Sequence, residues 1–232
     1  MLVTRAEDDA TRTADALLKL GHEVVVAPVT TIRASKTSLP SGTWRALAAT
    51  SHHAFLDLDA GLDRSRPVYA VGRRTAEAAR AAGFRDVRIG AGDAAGLADL
   101  LRLTLPRPAR LLYLAGRDRK PVLEETLTAA GYDVVVMETY AAEAVSEWPP
   151  AMRDTLRDSR LDAALHYSRR SVDLTLALAD AAGLTDAILP VRHLCLSEDC
   201  ADLLRARGAR SVAVAARPDE DGLLALLDAP QR

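Results

Sequence analysis

Apolar residues recur along this chain with two spacings that alternate from one end to the other. Ala10, Ala14 and Leu17 fall on one face of a predicted helix, which ends at Gly21, a residue typical of helix C-termini. The next segment, residues 24–29, is apolar almost throughout, as expected for a strand buried on both faces of a parallel sheet. Further strand and helix patterns follow, and the last predicted helix covers residues 219–228. The alternation predicts an α/β fold with doubly wound parallel sheets.

A short phrase in the sequence occurs twice. Residues 21–26 read Gly-His-Glu-Val-Val-Val, and residues 131–136 read Gly-Tyr-Asp-Val-Val-Val. Neighbouring segments recur in the same order, with residues 50–55 matching 167–172 and residues 71–76 matching 196–201. A self-similarity whose period is about half the chain indicates a duplicated domain and not a solenoid. We therefore predict two similar α/β units.

The composition limits the classes of protein to which the chain can belong. The apolar fraction of 49% is ample for a buried core, while a formal net charge of −2 gives no reason to expect nucleic acid as a partner. No apolar run approaches the roughly 20 residues that cross a bilayer, and the N-terminus lacks the regions of a signal peptide. The two cysteines do not make a disulfide framework. These observations predict a cytoplasmic enzyme or binding protein with neither nucleic acid nor membrane as a partner.

The candidate chemistry lies where the predicted strands end, because open parallel sheets bind ligands beyond the carboxyl ends of their strands. The residues at those ends are hydroxyl-bearing or small residues and two arginines: Arg5, Thr50, Ser51, Gly72, Gly116, Arg117, Tyr140, Ser168 and Ser197. Such ends bind anions, since unpaired backbone N–H groups and the helix dipole both favour negative charge. Ser51, Ser168 and Thr75 are equally suited to cap helices, and the sequence leaves both interpretations open.

Several common sites are missing from the sequence. It contains no Gly-x-Gly-x-x-Gly dinucleotide loop, no Gly-Lys-Ser/Thr phosphate loop and no Gly-x-Ser-x-Gly nucleophile turn. His52 and His53 are adjacent and have no carboxylate or cysteine at ligand spacing, so we predict no metal site. His193, Cys195 and Cys200 are interpreted as packing residues. The chemistry predicted here uses neither a nucleotide nor an activated nucleophile.

Taken in order, the motifs resemble those of the uroporphyrinogen-III synthase family. The similarity covers nearly the whole chain, and each motif is short, so its specificity comes from many motifs at suitable spacing. They are Val3-Thr4-Arg5 with Gly21 and Pro28, Ala49-Thr50-Ser51 with Ala54-Phe55, Val71-Gly72 with Thr75-Ala76, Leu112 to Arg117, Gly131, Tyr140, Tyr167-Ser168 and Gly222-Leu223.

The resemblance implies a particular architecture. The family folds as two similar flavodoxin-like, doubly wound parallel-sheet domains joined by a two-stranded linker. Carried onto this chain, domain one is expected at residues 1–33 plus 144–232 and domain two at residues 37–140, with linkers at about 32–36 and 140–145. Each copy of the duplication would then give its first strand–helix–strand to one domain and its remainder to the other.

The resemblance also implies an activity. The family is a lyase of haem biosynthesis that cyclises hydroxymethylbilane, a linear tetrapyrrole, with inversion of the last pyrrole ring and loss of water. It implies that no cofactor is needed and that the chain is a monomer. Tyr140 matches the family's tyrosine and is the expected catalytic acid. The expected substrate-binding residues are Arg5, Thr50, Ser51, Gly72, Thr75, Gly116, Arg117, Ser168 and Ser197.

One segment departs from the family pattern and motivates an alternative function. The family's second glycine–threonine–threonine–alanine motif reads Ser197-Glu198-Asp199-Cys200-Ala201 here, which replaces a hydroxyl and adds acid near an anionic substrate. The alternative is a catalytically silent sensor of the same fold that binds a tetrapyrrole or another anionic ligand. A third, more remote hypothesis is that the chain is an unrelated two-domain ligand-binding protein.

Overall fold

The computed structural model describes residues 1–227, which form eleven strands and nine α-helices. The strands are β1 Leu2–Val3, β2 Val25–Val26, β3 Thr30–Ala34, β4 Ala46–Ala49, β5 Val68–Ala70, β6 Val87–Ile89, β7 Arg110–Gly116, β8 Asp133–Ala144, β9 Ala163–His166, β10 Arg192–Cys195 and β11 Val212–Val214. The helices are α1 Glu7–Lys19, α2 Arg73–Ala81, α3 Ala94–Thr104, α4 Val122–Ala129, α5 Pro150–Arg157, α6 Arg169–Ala182, α7 Thr185–Ile188, α8 Glu198–Ala206 and α9 Glu220–Leu224. Two 3₁₀ turns span His52–Phe55 and Ala225–Leu227.

The strands form two sheets. The first has the order β11-β10-β9-β1-β2, and the second has the order β3-β8-β7-β4-β5-β6. The pairs of the first sheet are parallel, and so are those from β8 through β6 in the second. The predicted α/β fold with parallel sheets is therefore confirmed.

The strand orders agree with the internal duplication. In the first sheet, the five strands taken in chain order lie in the order 2-1-3-4-5. The second sheet shows the same order when β7 and β8 are counted first and β4, β5 and β6 follow. Apart from β3, which is the edge strand of the second sheet, each half of the sequence thus gives two neighbouring strands to one sheet and three to the other.

Contacts divide the chain into two compact units. Unit 1 is Met1–Thr31 together with the chain from Glu143 onward, and unit 2 is Ile32–Ala142. The range predicted for domain one extends to residue 232, and the last predicted helix to residue 228; residues 228–232 lie outside the described part of the chain. The chain passes between the units within β3 and within β8, which are neighbours in the second sheet.

The sheet of unit 2 is buried on both faces, as its apolar strands require. Ala46 and Ala48 of β4 pack into one apolar cluster, while Leu47 and Ala49 pack into another on the opposite face. Successive side chains of a strand point to opposite faces, so a strand buried on both sides carries no polar alternation. This arrangement leaves the ends of the strands as the places where polar side chains meet solvent.

Two elements differ from the sequence-based expectation. The pattern placed a strand end at Tyr140, but β8 continues to Ala144. Alanine and glutamate have low strand propensity, and hydrogen bonds around the β3–β8 pair, such as Ser35 N–H to the Thr139 carbonyl at 2.8 Å, supply the missing stability. Helix α5 is not among the predicted helices, because the Pro149-Pro150 pair is typical of a boundary between elements; Pro150 nevertheless occupies the first helical turn, where proline is tolerated.

Candidate active site

The candidate residues of unit 2 follow strands that are neighbours in the sheet. Gly116 ends β7, Thr50 follows β4 and Gly72 follows β5, and these three strands lie side by side in that order. Because the strands are parallel, their carboxyl ends share one edge of the sheet. The sequence therefore placed these three residues correctly at one edge.

Tyr140 lies directly against Gly116. The two residues are register partners at a bulge between β7 and β8, and the Arg117 N–H donates to the Tyr140 carbonyl at 2.9 Å. A Cβ atom at Gly116 would lie 2.7 Å from Cζ and 2.9 Å from the hydroxyl oxygen of Tyr140. Real side chains do not tolerate such a distance, so glycine is what allows the tyrosine ring to rest on the end of β7.

The His53 ring lies beside the Tyr140 ring, a contact that the sequence did not indicate. The centroids of the two rings are 5.6 Å apart. Ser51 fixes the turn that carries His53, because its hydroxyl oxygen accepts the His53 N–H at 3.2 Å. Ser51 therefore does cap a helical turn, as one of its two interpretations predicted, and the cap also places the imidazole beside the tyrosine.

Thr50 forms a hydrogen bond with a second tyrosine that the sequence did not single out. The hydroxyl groups of Thr50 and Tyr113 are 2.7 Å apart. Tyr113 is only 2% exposed, and burial raises the pKa of its phenol. The phenol therefore stays protonated and holds the Thr50 hydroxyl at the sheet edge.

Arg119 ties the loop after β7 to its surroundings. Its guanidinium donates to Glu124 at 2.6 Å and to Glu138 at 3.1 Å, and it reaches the Gly116 carbonyl at 3.2 Å. The hydrogen bond to Glu124, which outweighs the effect of burial, raises the pKa of Arg119. By contrast, Arg117 is exposed and makes no ion pair within residues 1–227.

Gly72 and Thr75 belong to the start of α2. Gly72 occupies the N-cap position and so brings no side chain to the helix end; the nearest atom to a Cβ built there is 3.9 Å away. The free N–H groups at this helix start point toward the sheet edge where the strand ends lie. Thr75 is 5% exposed, one turn into the helix.

The candidate residues of unit 1 follow neighbouring strands in the same way. Arg5 comes after β1, Ser168 after β9 and Ser197 after β10, and these strands are adjacent in the first sheet. They correspond to Arg117, Ser51 and Gly72 in the strand order of unit 2. The duplication thus repeats the position of each polar group.

Glu220 is the centre of a polar cluster in unit 1 that the sequence analysis missed. Its carboxylate accepts hydrogen bonds from Thr13 at 2.5 Å and Tyr167 at 3.1 Å, and it pairs with Arg5 at 3.5 Å and Arg12 at 3.2 Å. The Arg5 guanidinium also stacks over the Tyr167 ring, 4.1 Å from its centroid. Burial is the main cause that raises the pKa of the Tyr167 phenol.

Ser168 and Ser197 differ although both stand at helix starts. Ser168 forms a capping box with Ser171 at the start of α6, which confirms the capping interpretation for this residue. The Ser197 hydroxyl makes no cap and instead donates to the carboxylate of Asp199, which lowers the pKa of that group. It also contacts the Cys200 thiol at 3.3 Å.

Two histidines are buried in the sheet of unit 1. Nε2 of His166 and Nδ1 of His193 are 3.0 Å apart, and both residues have 0% exposure. Burial lowers the pKa of His166 to about 3 and that of His193 to about 4. Burial also raises the pKa of the neighbouring Cys195 thiol to about 12. These groups are neutral at physiological pH. The burial of His193 and Cys195 agrees with their interpretation as packing residues, while the sequence did not single out His166.

The described part of the chain has neither a metal-binding cluster nor a membrane-spanning helix. Within residues 1–227, no group of three or more His, Cys, Asp or Glu side chains is placed to hold a metal ion. In the same range, no helix combines the length and apolar character needed to cross a membrane.

Comparison with known proteins identifies the family of the chain. Residues 11–225 match the family model described as Uroporphyrinogen-III synthase HemD. The chain belongs to the uroporphyrinogen-III synthase family. This family consists of cyclising lyases of haem biosynthesis. The resemblance read from the short motifs is thereby confirmed.

Solved uroporphyrinogen-III synthases are similar to the chain in structure. The enzyme from Helicobacter pylori 26695 aligns with a TM-score of 0.63 and 14% identity over 89% of this chain and 92% of its own, which shows a common fold. A mutant enzyme from Thermus thermophilus aligns with a TM-score of 0.49 and 19% identity over 97% and 96%. The wild-type Thermus thermophilus enzyme gives 0.41 and 22% identity over 98% and 95%. No curated protein sequence matches the chain.

Proposed function

We propose that this chain cyclises hydroxymethylbilane to uroporphyrinogen III, with inversion of the last pyrrole ring and loss of water. The observation that carries the proposal is the family match over residues 11–225. The position of Tyr140 on Gly116, at the edge where β7, β4 and β5 end, supports it. The family match does not favour the silent-sensor alternative.

Tyr140 is proposed as the acid that starts the reaction. Its phenol donates a proton to the hydroxyl group of the substrate, the carbon–oxygen bond breaks, and water leaves. The substituted α-carbon of the last pyrrole ring then bonds to the methylene that lost water, which gives a spiro intermediate. The bond from this carbon to its original methylene bridge breaks, and that methylene bonds to the free α-carbon of the same ring, so the ring is inverted. The proton lost from the free α-carbon restores the phenol. A positioned acid contributes typically about 10²–10⁴-fold to such a step. Gly116 and His53 hold the ring in place for this transfer.

The remaining site residues are proposed to bind the carboxylates of the substrate. In unit 2 these are the backbone N–H groups at Ser51, Gly72 and Gly116, the side chains of Thr50 and Thr75, and the Arg117 guanidinium. In unit 1 they are Arg5, Ser168 and Ser197. Helix starts and arginine forks both favour oxyanions. Holding the substrate in one conformation directs ring closure toward inversion, because the reactive intermediate otherwise closes without it.

We also propose the finer architecture and setting of the protein. The strand order 2-1-3-4-5 in each sheet supports two flavodoxin-like domains, at residues 1–33 plus 144–232 and at residues 37–140. The paired strands β3 and β8 support a two-stranded linker near residues 32–36 and 140–145. We propose a cytoplasmic monomer that acts without cofactor, membrane or nucleic acid; the net charge of −2 supports the last point.

The activity is tested by supplying the purified chain with freshly generated hydroxymethylbilane and resolving the oxidised isomers. We expect the type III isomer. Type I alone, at the spontaneous rate, would overturn the proposal in favour of a silent binding protein.

The role of Tyr140 is tested by Tyr140→Phe, which keeps the ring and removes the proton donor. We expect turnover to fall by about 10²–10⁴-fold with an unchanged melting temperature. The matched control is Tyr69→Phe, which removes a hydroxyl that bonds to Arg88 and Thr104 in the same unit. Equal turnover in the wild type and Tyr140→Phe would remove Tyr140 from the acid role.

A further inference from the structure

A groove lined by arginines lies at the opposite edge of the unit 2 sheet from the candidate active site. Two neighbouring cavities, of about 470 and about 270 Å³, have Arg45, Arg66 and Pro106 in common, and together they form the groove. Most of their lining residues precede or open β4, β5 and β7, so the groove follows the amino ends of these strands; Arg88 belongs to the neighbouring β6. The candidate active site follows the carboxyl ends of the same strands.

The charge of the groove is positive. Its walls carry four guanidinium groups, those of Arg45, Arg66, Arg88 and Arg110, and none of its lining residues is acidic. Arg66, Arg88 and Arg110 each pair with one aspartate outside the groove, namely Asp63, Asp86 and Asp133. Arg45 makes no ion pair within residues 1–227. The four arginines and three aspartates leave one net positive charge.

The three ion pairs do not prevent the arginines from binding a ligand. The side chains of these arginines are 38–39% exposed, and those of their aspartate partners are 46–64% exposed. Ion pairs this open to water are weak, so an incoming anion can share or replace the aspartate. An arginine also has five donors and uses only part of them in a single pair.

Arg110 is held in place by structure built around it. Its guanidinium stacks over the Trp44 ring, 4.5 Å from the centroid, and donates to the Ser41 carbonyl at 3.2 Å. Gly42 makes room for it, because a Cβ at that position would collide with the Arg110 guanidinium. An arginine fixed in this way loses little freedom when it binds an anion.

Trp44 gives a second indication, beside the fixed Arg110, that the groove binds a ligand. It is 5% exposed and lines the larger cavity, yet its indole N–H has no hydrogen-bond partner among residues 1–227. Most buried donors in folded proteins are paired, so an unpaired one calls for an explanation. Around it, Pro106, Pro108 and Ala109 give the cavity an apolar wall.

We propose that this groove binds a small anion with two or more phosphate or carboxylate groups. The planar guanidinium fork of arginine matches the oxygens of either group. Arg45 and Arg66 line both cavities, while Arg110 lines the larger and Arg88 the smaller, so guanidinium groups contact the anion in either part of the groove. The site is separate from the proposed synthase reaction and does not depend on it.

The test is isothermal titration of the full chain with pyrophosphate and, separately, with citrate, at constant ionic strength. We expect saturable binding with one site per chain for at least one of the two. The fluorescence of Trp44 should change in parallel. The response to each probe distinguishes a phosphate site from a carboxylate site, and saturable binding of either supports the proposal.

Matched variants locate the site. Arg45→Gln is expected to weaken binding by tenfold or more, while Arg102→Gln, which removes an arginine paired with Asp99 on the exposed side of α3, leaves it unchanged. Both variants are expected to keep the wild-type isomer ratio and turnover of hydroxymethylbilane, so a failed synthase assay would not affect this test. Absence of saturable binding of both probes, or an equal loss in the two variants, would overturn the proposal.

Discussion

The two units have candidate residues at the ends of equivalent strands. They differ in whether these residues already have ion-pair or hydrogen-bond partners within the protein. In unit 1, Arg5 is paired with Asp9 and Glu220, and the Ser197 hydroxyl is bonded to Asp199. In unit 2, the equivalent Arg117 makes no ion pair within residues 1–227, and Gly72 leaves a helix start without a side-chain cap. A carboxylate that binds to unit 1 must compete with internal carboxylates. Duplication thus preserved the positions of these residues on the sheets, while their availability to the proposed substrate diverged.

Among the changes that test this comparison, the largest expected effect comes from filling the space next to Tyr140 in unit 2. Gly116→Ala places a methyl group 2.7 Å from Cζ of Tyr140, so the ring must move. A displacement of about 1 Å at a reacting group can cost about 10²-fold, and we expect a fall in kcat of that order. The measurement is steady-state turnover together with the isomer ratio.

A double-mutant cycle separates this effect from general damage. If Gly116→Ala acts through Tyr140, it should cost little more in the Tyr140→Phe background. Gly72→Ala serves as the comparison, because its new methyl group has no neighbour closer than 3.9 Å. Fully additive losses for Gly116→Ala and Tyr140→Phe would show that the glycine acts elsewhere.

The buried histidine pair makes the stability of unit 1 depend on pH. The pKa values of His166 and His193 are lowered to about 3 and about 4, so the unfolded chain takes up protons below about pH 6.5 before the folded chain does. Stability is therefore complete above pH 6.5 and falls as the pH drops toward 4. The expected slope is about 1.4 kcal/mol for each histidine per pH unit.

The check is urea unfolding between pH 4.5 and 7, compared with His166→Leu/His193→Leu. Replacing both hydrogen-bonded partners leaves no unpaired group between them, so the double variant should fold. Its stability should change less steeply with pH than that of the wild type. Parallel curves for the two proteins would mean that other groups, such as carboxylates, cause the acid sensitivity.

The smallest expected effect concerns Glu220, the carboxylate of unit 1 that competes with the substrate for Arg5. Glu220→Gln removes the charge beside Arg5, while the amide oxygen still accepts from Thr13 and Tyr167. The Arg5–Glu220 pair is long, at 3.5 Å, and its two side chains remain partly exposed, so it is weak and we expect KM to fall by about two- to fivefold with kcat unchanged. Glu198→Gln, which loses an exposed pair with Arg205, is the control. A rise in KM would instead make Glu220 a residue that positions Arg5 for the substrate.

The sequence predicted the strands and the residues at their ends because both depend on local patterns. Buried parallel strands are recognisable as apolar runs, and Ser51 and Ser168 were suited to the caps they form. The contacts around these residues were not predictable in the same way. Tyr113 meets Thr50 across 63 positions, and Glu220 meets Thr13 across 207. Such pairs arise from strand order, which hydrophobic periodicity does not encode.

Contacts with distant segments also change how single residues are interpreted. Tyr140 looked like a strand end because alanine and glutamate follow it, yet β3 extends the strand beyond it. His53 was weighed only as a metal ligand, since nothing in its neighbourhood along the chain pointed to Tyr140. In both cases the deciding contact came from a distant segment.

Because each half of the chain contributes strands to both sheets, the strands of the two units are completed at different times during synthesis on the ribosome. Unit 2 is drawn from an uninterrupted stretch, so all its strands have been made once β8 is complete. Strand β1 pairs with β2, but its other neighbour, β9, is made some hundred and sixty residues later. Two strands of two residues each cannot persist alone. The start of the chain must therefore wait, unfolded, while the middle of the protein folds first.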